Sequence, residues 1–293
     1  MSEKFSVTAA GGLLAFLHAQ LHDWSRKTVK QRLQTGCIRV NGAVAMRHDH
    51  PLEAGDIVEV SATPRPAVVA RRPLGILYAD PDLIAIDKPA GMLAVGTAQE
   101  SRHHALALLR DQLSRRTPGL RLWPVHRIDQ GTSGVLLFAT SREMREAVMA
   151  RWGEAEKTYL AVVEGHPDPA HGTIDQPLRL DEKEYRMHVG WHPGAKPAVT
   201  HYETERTAGG RSLVRVRLET GRQHQIRAHM AWLGCPVVGD PRYGTAGARL
   251  GLHALRLAIC HPGTGRELVC EAPVPGDFLA LLDSTASALL RHE

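Results

Sequence analysis

The chain has 293 residues, of which 43% are hydrophobic and 23% are charged. These proportions are ordinary for a globular protein and exclude a chain that is disordered or collagen-like throughout. Its apolar runs, such as residues 135–139, are far shorter than the roughly 18 residues that a membrane-spanning helix needs. The net charge of +5 suits a polyanionic partner without requiring one.

None of the four cysteines forms the C-x-x-C pair that is typical of zinc and dithiol sites. We expect all four to be buried, reduced and structural, as in a reducing cytoplasm. Residues 13–21 have the apolar character of a signal peptide, but polar residues interrupt the run and the apolar positions follow helical spacing. We therefore expect an amphipathic helix there and a cytoplasmic protein.

Residues 13–60 are predicted to form a compact unit with the order helix, helix, hairpin, strand. The first helix covers 13–21, and Ser25 can cap the second helix. The Asn-Gly pair at 41–42 predicts a hairpin, because a type I′ turn needs positive φ at both central residues. A strand follows at 57–60.

The basic residues of this unit are segregated from its acidic residues. Between Ser25 and His48 there are six Lys or Arg and no Asp or Glu. Such a local positive field suits the phosphates of a nucleic acid, although a solvated helix face would show the same pattern. The cations expected to bind nucleic acid are Arg26, Lys27, Lys30, Arg32 and Arg39.

Residues 61–73 contain three prolines and no hydrophobic period, which marks a domain boundary. We predict one domain over 1–62, a linker over 63–73 and a second domain over 74–293. In the second domain strands do not alternate regularly with helices, which indicates an α+β fold. The predicted strands cover 83–86, 135–139, 159–163 and 213–218, and the predicted helices cover 106–113, 144–152 (capped by Ser141) and 226–233.

The segment 126–134, His-Arg-Ile-Asp-Gln-Gly-Thr-Ser-Gly, directly precedes the predicted strand at 135–139. Polar side chains and glycines at the rim of a sheet are typical of a functional loop. Asp129 is the only carboxylate in this segment, and the nearby cation of Arg127 can keep it ionised. An ionised carboxylate can attack a sugar carbon or stabilise an oxocarbenium-like centre. The plainer alternative is that Asp129 caps a turn.

The segment 220–230, Thr-Gly-Arg-Gln-His-Gln-Ile-Arg-Ala-His-Met, concentrates polar and basic side chains at the start of a predicted helix. Helical spacing puts His224 on the same side as Arg227. His224 and His229 are five residues apart and lack supporting Cys or carboxylate ligands, so we expect no metal site. The turn-rich loop at 239–244 is expected to shape the wall of a pocket.

Tyr159 opens the predicted strand at 159–163. An aromatic ring in this position can stack on a nucleobase, although such a residue is more often part of the core with its hydroxyl satisfied. Only 5% of the residues are aromatic, which argues against broad stacking along single strands and favours one base held in one pocket.

These segments resemble the RluA family of RNA pseudouridine synthases. The run HRIDQGTSG at 126–134 resembles the family's signature loop, and ILYADPDLIAIDKPAGMLA at 76–94 resembles its opening motif. KTYLAVVEG at 157–165 and TGRQHQIRAHMAWLGCPVVGDPRYG at 220–244 are similar to its later motifs, in the family's order. Residues 13–60 resemble the alpha-L RNA-binding module that often precedes this catalytic domain.

Three positions depart from the family's pattern. Gln130 stands where Arg is common, Ile128 where Leu is common, and Cys235 where His is frequent. None of these positions is the presumed catalytic acid, so they bear more on the choice of substrate than on activity.

The resemblance implies a fold and a set of site residues. The fold is α+β, with a mixed, mainly antiparallel central sheet flanked by helices, preceded by a small α/β RNA-binding domain. Asp129 corresponds to the catalytic aspartate, Arg227 to its basic partner, and Tyr159 to the ring that packs on the target uracil. Arg127 can fill the gap left when the nucleotide leaves its helix. The implied substrate-binding residues are Arg127, His126, Thr132, Arg222, His224 and Gln225.

The implied reaction isomerises uridine in RNA to pseudouridine within one bound nucleotide. It needs no redox carrier, metal or phosphate donor, and the sequence has no P-loop or dinucleotide fingerprint, so we expect no cofactor. The expected partner is large-subunit (23S) ribosomal RNA, with transfer RNA second, and a monomer suffices for the chemistry.

Two other functions remain open from the sequence. A catalytically silent RNA-binding or ribosome-assembly protein would use the same basic stretch. A glycoside hydrolase would need a second carboxylate near Asp129, and none is evident in the sequence around it.

Overall fold

The computed structural model describes residues 2–21, 24–25, 28–29, 32–33, 37–45, 50–61, 73–97, 100–114 and 117–283. The chain divides into two compact units, Met1–Arg72 and Pro73–Glu293. All but the last residue of the predicted linker at 63–73 lies outside the described residues. Among the described helices, none has the length and apolar character that crossing a bilayer requires.

In its described part, the first unit contains a small antiparallel sheet with a helix packed on it. The described elements are β1 (Ser2–Ser6), β2 (Gly11–Gly12), α1 (Leu13–Gln20), β3 (Ile38–Val40), β4 (Ala43–Val44), β5 (Pro51–Leu52) and β6 (Ile57–Ser61). The sheet has the order β1–β6–β3–β4. Leu13 and Leu17 of α1 are fully buried and pack with Ile38 and Val58 of the sheet.

The local predictions for this unit are confirmed where the structure describes it. Helix α1 begins at Leu13, and Ser25 Oγ accepts a hydrogen bond from the Thr28 N–H at 3.1 Å, as a helix cap does. Asn41 and Gly42 have φ values of 51° and 80°, as a type I′ turn demands. Strand β1 was not predicted; it pairs antiparallel with β6.

The predicted nucleic-acid-binding cations are only partly described. Arg26, Lys27 and Lys30 lie outside the described residues. The Arg32 guanidinium lies 5.4 Å from the centre of the Trp24 ring, and Arg39 Nη1 donates to the Gly42 carbonyl at 3.1 Å. Both described cations therefore have contacts within their own unit.

The second unit is built around a large sheet. Its described strands are β7 (Gly75–Ala79), β8 (Leu83–Lys88), β9 (Trp123–Pro124), β10 (Ser133–Ala139), β11 (Glu156–Glu164), β12 (His171–Asp175), β13 (Leu178–Asp181), β14 (Arg186–Val189), β15 (Val199–Ala208), β16 (Arg211–Leu218), β17 (Leu252–Cys260) and β18 (Glu267–Glu271). Its described helices are α2 (Ala105–Ser114), α3 (Arg142–Ala150), a 3-10 turn (Trp152–Glu154), α4 (Gln225–Trp232) and α5 (Gly276–Asp283).

The described strands of the large sheet have the order β12–β15–β16–β11–β17–β10–β8–β7, with β18 beside β17 and β9 beside β10. The β10–β17 pair is parallel, and the other pairs are antiparallel. Strands β13 and β14 form a separate hairpin. This arrangement confirms the α+β fold with a mixed, mainly antiparallel sheet.

Helices cover both faces of the sheet. On β10, Leu136 and Phe138 pack with α2, whereas Val135 and Leu137 belong to the cluster that includes Val148 of α3. Because successive strand residues point to opposite faces, α2 and α3 lie on opposite sides of β10. All predicted strands and helices of this unit are found, and Ser141 Oγ caps α3 by accepting from the Met144 N–H.

The pairing between β11 and β17 contains a register shift beside the site. Strand β11 pairs with β16 without interruption, but Thr158 pairs with Arg256 of β17 whereas Tyr159 pairs with Ala254. The extra residue of this β-bulge is therefore Leu255 of β17, which increases the local twist next to Tyr159. Tyr159 packs at the margin of the buried cluster that contains Val216 and Ile226.

The four cysteines are free thiols, but not all of them are buried. Cys37, Cys235 and Cys270 are buried, as expected. Cys260 is only partly buried, at the end of β17, where Arg151 Nη1 lies 3.0 Å from its Sγ. The prediction that all four are buried is therefore wrong for Cys260.

Gly134 provides a test of the packing between β10 and β17. Its φ is 109°, and a Cβ there would lie 2.2 Å from the Ala254 carbonyl oxygen. We expect Gly134→Ala to lower the free energy of unfolding by about 3 kcal/mol or more, since both backbone strain and a backbone clash oppose it. Urea unfolding of the whole chain measures this change.

Gly153 supplies the matched control, since a Cβ there would have no neighbour within 4 Å. Gly153→Ala should change the free energy of unfolding by less than about 1 kcal/mol. Equal stability of the two variants would contradict the packing argument.

Candidate active site

The signature loop, residues 126–132, connects β9 to β10 at the rim of the sheet. The Thr132 N–H donates to the Asp129 carbonyl at 3.1 Å, which closes a tight turn behind the Asp129 side chain. Gln130 Nε2 donates to the Gly91 carbonyl at 3.0 Å. Ile128 is buried. The loop is thus held on both sides of Asp129.

Lys88 fastens the same loop from inside the protein. Its side chain is 0% exposed, and its Nζ donates to the carbonyls of Pro89, Met92 and Gln130 at 3.0, 2.7 and 3.2 Å. Burial lowers the pKa of Lys88 to about 7, against the opposing charges of Asp129 and Asp87. Lys88 joins the opening motif to the signature loop, a role that the sequence analysis did not assign.

Arg227 of α4 binds two carboxylates at once. Its Nη1 donates to Asp129 Oδ2 at 2.9 Å. Its Nε and Nη2 donate to the two oxygens of Asp240 at 2.7 and 2.8 Å. Burial opposes the charge, but the hydrogen bonds and charges of Asp240 and Asp129 raise the pKa of Arg227 above its ordinary value. The guanidinium is therefore a permanent cation that fixes Asp129.

Asp240 is the residue of this site that the sequence analysis missed. Its side chain is 0% exposed, and its Oδ1 also accepts from the backbone N–H groups of Arg242 and Tyr243 at 2.9 and 3.2 Å. Burial works against ionisation, yet the hydrogen bonds and charge of Arg227 lower the pKa of Asp240. Asp240 thus stays ionised and orients Arg227, so the loop at 239–244 is more than a pocket wall.

A cleft opens over this ion pair, with about 380 Å³ of empty space including its mouth. Its lining comprises Arg127, Ile128, Asp129, Thr132, Tyr159, Leu218, Arg222, His224, Gln225, Ile226, Arg227 and Leu252. Burial, with a contribution from the Asp129 charge, raises the pKa of Tyr159, so its phenol is protonated at neutral pH. The cleft therefore offers one carboxylate, one aromatic ring and apolar walls.

His224 stands at the edge of the ion pair. Its Nε2 lies 4.0 Å from Asp129 Oδ1, and its Nδ1 lies 3.1 Å from the Tyr243 hydroxyl. Its φ of 52° is left-handed, which is unusual for a residue with a Cβ. Burial lowers the pKa of His224, and the nearby cation of Arg227 adds to this effect against the pull of Asp129.

The sequence of the chain is similar to those of known RNA pseudouridine synthases. Residues 82–232 match the family described as RNA pseudouridylate synthase. An uncharacterized RNA pseudouridine synthase of Bacillus subtilis (strain 168) is 35% identical over 281 residues, which cover 92% of each chain. The chain belongs to the RNA pseudouridine synthase family.

Two further known proteins are similar to this RNA pseudouridine synthase. The ribosomal large subunit pseudouridine synthase D of Escherichia coli (strain K12) is 32% identical, with 92% of this chain and 89% of that one covered. The solved structure of Human RNA Pseudouridylate Synthase Domain Containing 4 has a TM-score of 0.58 and 25% identity, and the likeness covers 70% of this chain and 90% of that one. The first relative supports the family, and the second supports the pseudouridylate synthase fold.

The synthase brings together most of the residues predicted to form its site. Asp129, Tyr159 and Arg227 line one cleft, together with Arg127, Thr132, Arg222, His224 and Gln225. Arg127 is exposed, and the described part of the chain provides no hydrogen bond or ion pair for its guanidinium. It is thus free to meet a ligand.

Three of the predicted substrate-binding residues serve the protein in different ways. Gln225 is buried, and its amide is already bonded to Thr220, Arg222, Val199 and Thr200. Arg222 Nε donates to the Pro197 carbonyl at 2.9 Å. The Thr132 hydroxyl is buried and has no hydrogen-bond partner among the described residues. Gln225 therefore helps to shape the cleft, whereas the Thr132 side chain lines the cleft with a hydroxyl that makes no hydrogen bond to the described residues.

His126 does not belong to the cleft lining of the synthase, which corrects its prediction as a substrate-binding residue. Its Nε2 accepts the Leu137 N–H at 3.1 Å, and its ring packs 5.2 Å from that of Trp152. Burial, with the nearby charge of Lys157, lowers the pKa of His126 to about 4. The ring is a neutral structural acceptor that ties the loop to β10.

This role predicts a loss of stability in acid. The unfolded chain takes up the His126 proton near pH 6.5, but the folded chain does so only near pH 4. Between these values the unfolded state binds more protons, so the free energy of unfolding falls as the pH falls, by about 3 kcal/mol in total for this group. Urea unfolding at several pH values across this window measures the loss.

The variant His126→Gln is the control, because glutamine can still accept the Leu137 N–H but does not titrate. Its stability should decline less steeply than that of the parent protein across the same window. Parallel declines would show that His126 is not the group responsible.

Proposed function

We propose that this synthase isomerises specific uridines of large-subunit ribosomal RNA to pseudouridine, with Asp129 as the reacting carboxylate. The observation that carries the proposal is the Asp129–Arg227 contact at 2.9 Å in a cleft that also contains Tyr159. The rRNA substrate is supported by the name of the Escherichia coli relative, and transfer RNA is the second candidate.

We propose that Asp129 acts on the ribose. Arg227 holds Oδ2, which leaves Oδ1 directed at the cleft near His224. We infer that this oxygen either attacks C1′ or takes part in a glycal route; the geometry fits both. In either route the C1′–N1 bond breaks, the detached uracil turns, C5 bonds to C1′, the C5 proton leaves, and N1 gains a proton.

Tyr159 is proposed to hold the uracil while it turns. Its ring lies in the same cleft, and the apolar side chains of Leu218, Ile226 and Leu252 complete the walls. Because burial raises the pKa of Tyr159, its hydroxyl cannot act as a resting phenolate base at neutral pH. Ring packing is thus the better-supported role, ahead of removal of the C5 proton.

Base extrusion is required because the glycosidic carbon cannot be reached within a stack. The unpaired guanidinium of Arg127 sits beside Asp129 at the cleft and carries no internal contact in the described structure. We propose that it fills the place left by the extruded nucleotide.

The glycoside hydrolase alternative is not favoured by the site. A second carboxylate is in fact present, since Asp240 shares Arg227 with Asp129. A hydrolase needs one of its two carboxyls to be protonated as the general acid, and Asp240 is ionised and fully enclosed. The intact reacting set also argues against a silent RNA-binding or ribosome-assembly protein.

The first unit is proposed to be an alpha-L type RNA-binding domain over residues 1–62, and residues 74–293 the catalytic domain. Two observations support this proposal. Residues 25–48 contain six Lys or Arg and no Asp or Glu, and the predicted helix, hairpin and strand are found in the same unit. The free thiols of the described cysteines are compatible with the proposed cytoplasmic location. We propose a monomer, because one copy of the chain suffices for the reaction.

The central test replaces the reacting carboxylate. Asp129→Asn keeps the shape of the side chain but removes its charge, so turnover should fall on the order of a thousandfold or more while RNA affinity stays close to that of the parent. Pseudouridine formation in unmodified 23S rRNA is measured by mass spectrometry of nuclease digests, and affinity by filter binding.

The exposed carboxylate of Asp175 on β12 gives the control. Asp175→Asn should keep full turnover. Pseudouridine formation by Asp129→Asn at a rate near that of the parent would overturn the role of Asp129.

A second test addresses the basic stretch. Replacing Arg26, Lys27 and Lys30 by Gln should weaken RNA binding and reduce the slope of log affinity against log salt by about 2 to 3, because fewer counterions are released. Affinity is measured at several salt concentrations.

The control for this test is Lys4→Gln, which removes a cation of the same unit that already pairs with Glu59. Its salt slope should stay near that of the parent protein. An unchanged slope in the triple variant would show that the basic stretch has another role.

A further inference from the structure

The exposed aromatic rings of this synthase are concentrated in one segment. Among the described Phe, Tyr and Trp side chains, only Trp191, Tyr185 and Trp232 are at least half exposed, at 86%, 51% and 52%. Trp191 and Tyr185 belong to residues 178–197, which form the β13–β14 hairpin and the loop after it. One exposed ring would need no explanation, but two in one short segment make this segment a candidate recognition surface.

This segment borders the proposed catalytic cleft. The Tyr185 ring meets the His224 ring edge-on, with 6.0 Å between their centres. Arg222, which lines the cleft, donates from Nε to the Pro197 carbonyl at the far end of the segment. The hairpin turn and the far end of the segment therefore both contact residues that line the cleft.

The backbone at Tyr185 supports a role for its ring. Its φ of 50° lies in the left-handed region, which disfavours a bulky side chain and suits Gly or Asn. The strained residue is held by Arg242, whose guanidinium lies 5.4 Å from the ring centre and whose Nη1 donates to the Glu184 carbonyl at 2.6 Å. Strain of this kind is typical of functional positions.

The charges of the segment are divided at Tyr185. Residues 178–184 contain two cations and three carboxylates, and the His188 ring faces two of these carboxylates, Asp181 and Glu184, at 3.8 Å. Residues 185–197, which include Trp191, contain the cations Arg186 and Lys196 and no Asp or Glu. The part of the segment around Trp191 is therefore its basic part. Proteins that bind single-stranded nucleic acid commonly combine aromatic rings, on which bases stack, with nearby cations that contact the phosphates.

We propose that Trp191 and Tyr185 form a stacking surface for unpaired nucleobases of the RNA that flank the extruded uridine. The proposal rests on the proposed function, because the extruded uridine is proposed to occupy the neighbouring cleft. Tyr185 and Trp191 flank β14, whose four residues span roughly 13 Å at about 3.3 Å per residue, so we expect the two rings to contact different nucleotides. RNA-binding proteins commonly recognise single-stranded loops by stacking bases in this way.

The first experiment uses a 12-nucleotide oligouridylate and an abasic oligonucleotide of the same length. Tryptophan fluorescence of the full chain should be quenched by the oligouridylate and not by the abasic probe. In Trp191→Phe most of this quenching should be lost. Trp191→Ala should bind the oligouridylate about tenfold more weakly, and the abasic probe as the parent does, because stacking contributes about 1–3 kcal/mol per base.

Trp232→Ala is the matched control, since it removes the other exposed Trp, at the end of α4. It should keep the quenching and the affinity within about twofold of the parent. Wild-type affinity in Trp191→Ala would overturn the proposal. Equal weakening toward both probes would also overturn it, because the loss would then not depend on bases. Self-association that Trp191→Ala abolishes, seen in sedimentation, would assign the surface to a second copy instead.

The second experiment separates this inference from the proposed function. Pseudouridine formation in unmodified 23S rRNA is followed for the parent and for Trp191→Ala, and the KM for RNA should rise several-fold more than kcat falls. If the parent forms no pseudouridine in this RNA or in transfer RNA, the proposed function fails while the oligouridylate comparison still judges the surface. If the parent is active and the variant has the parent's KM, the inference alone fails.

Discussion

The site depends on one guanidinium that serves two carboxylates. Arg227 reaches Asp129 with one nitrogen and clasps Asp240 with the other two. Asp240 is itself fixed by two backbone N–H groups, so the position of Asp129 is set by a chain of contacts that ends in the backbone of the 239–244 loop. Two carboxylates around one cation leave one negative charge unmatched within this trio. That charge faces the cleft, where an electron-poor sugar carbon would gain from it.

The loop that carries Asp129 is fixed by hydrogen bonds within the protein, without a ligand. Lys88 binds its backbone from below, Gln130 ties it to the neighbouring turn, and His126 anchors its first residue to β10. Little reorganisation is left for the moment of reaction, which is how preorganised polar sites gain their effect. In the proposed reaction, the larger rearrangement is therefore the extrusion of the nucleotide from the RNA.

Much of this molecule could be predicted from its sequence, and the failures have physical causes. The periodic helices and strands and the Asn-Gly turn depend on local patterns, so they were found. Strand β17 was missed because it is buried on both faces and shows no alternation, and because His253 and Arg256 interrupt the kind of continuous apolar run that revealed β10. Asp240 was missed because its partner lies 13 residues away across a turn, and no periodic spacing reveals such a contact. His126 was predicted to bind substrate because the resemblance covers the whole signature loop, but its ring packs against Trp152 and accepts the Leu137 N–H outside the cleft lining.

The unbroken pairing of β11 with β16 has a consequence for how this chain could change its length. Loops between the strands can gain or lose residues at little cost, since their closure entropy varies slowly with length. The strand in front of Tyr159 has no such freedom, because side chains alternate there and a single added or deleted residue would turn the phenol away from the cleft and present a neighbour in its place. The number of residues between the start of β11 and Tyr159 is thus as much a requirement of the site as the identity of the ring.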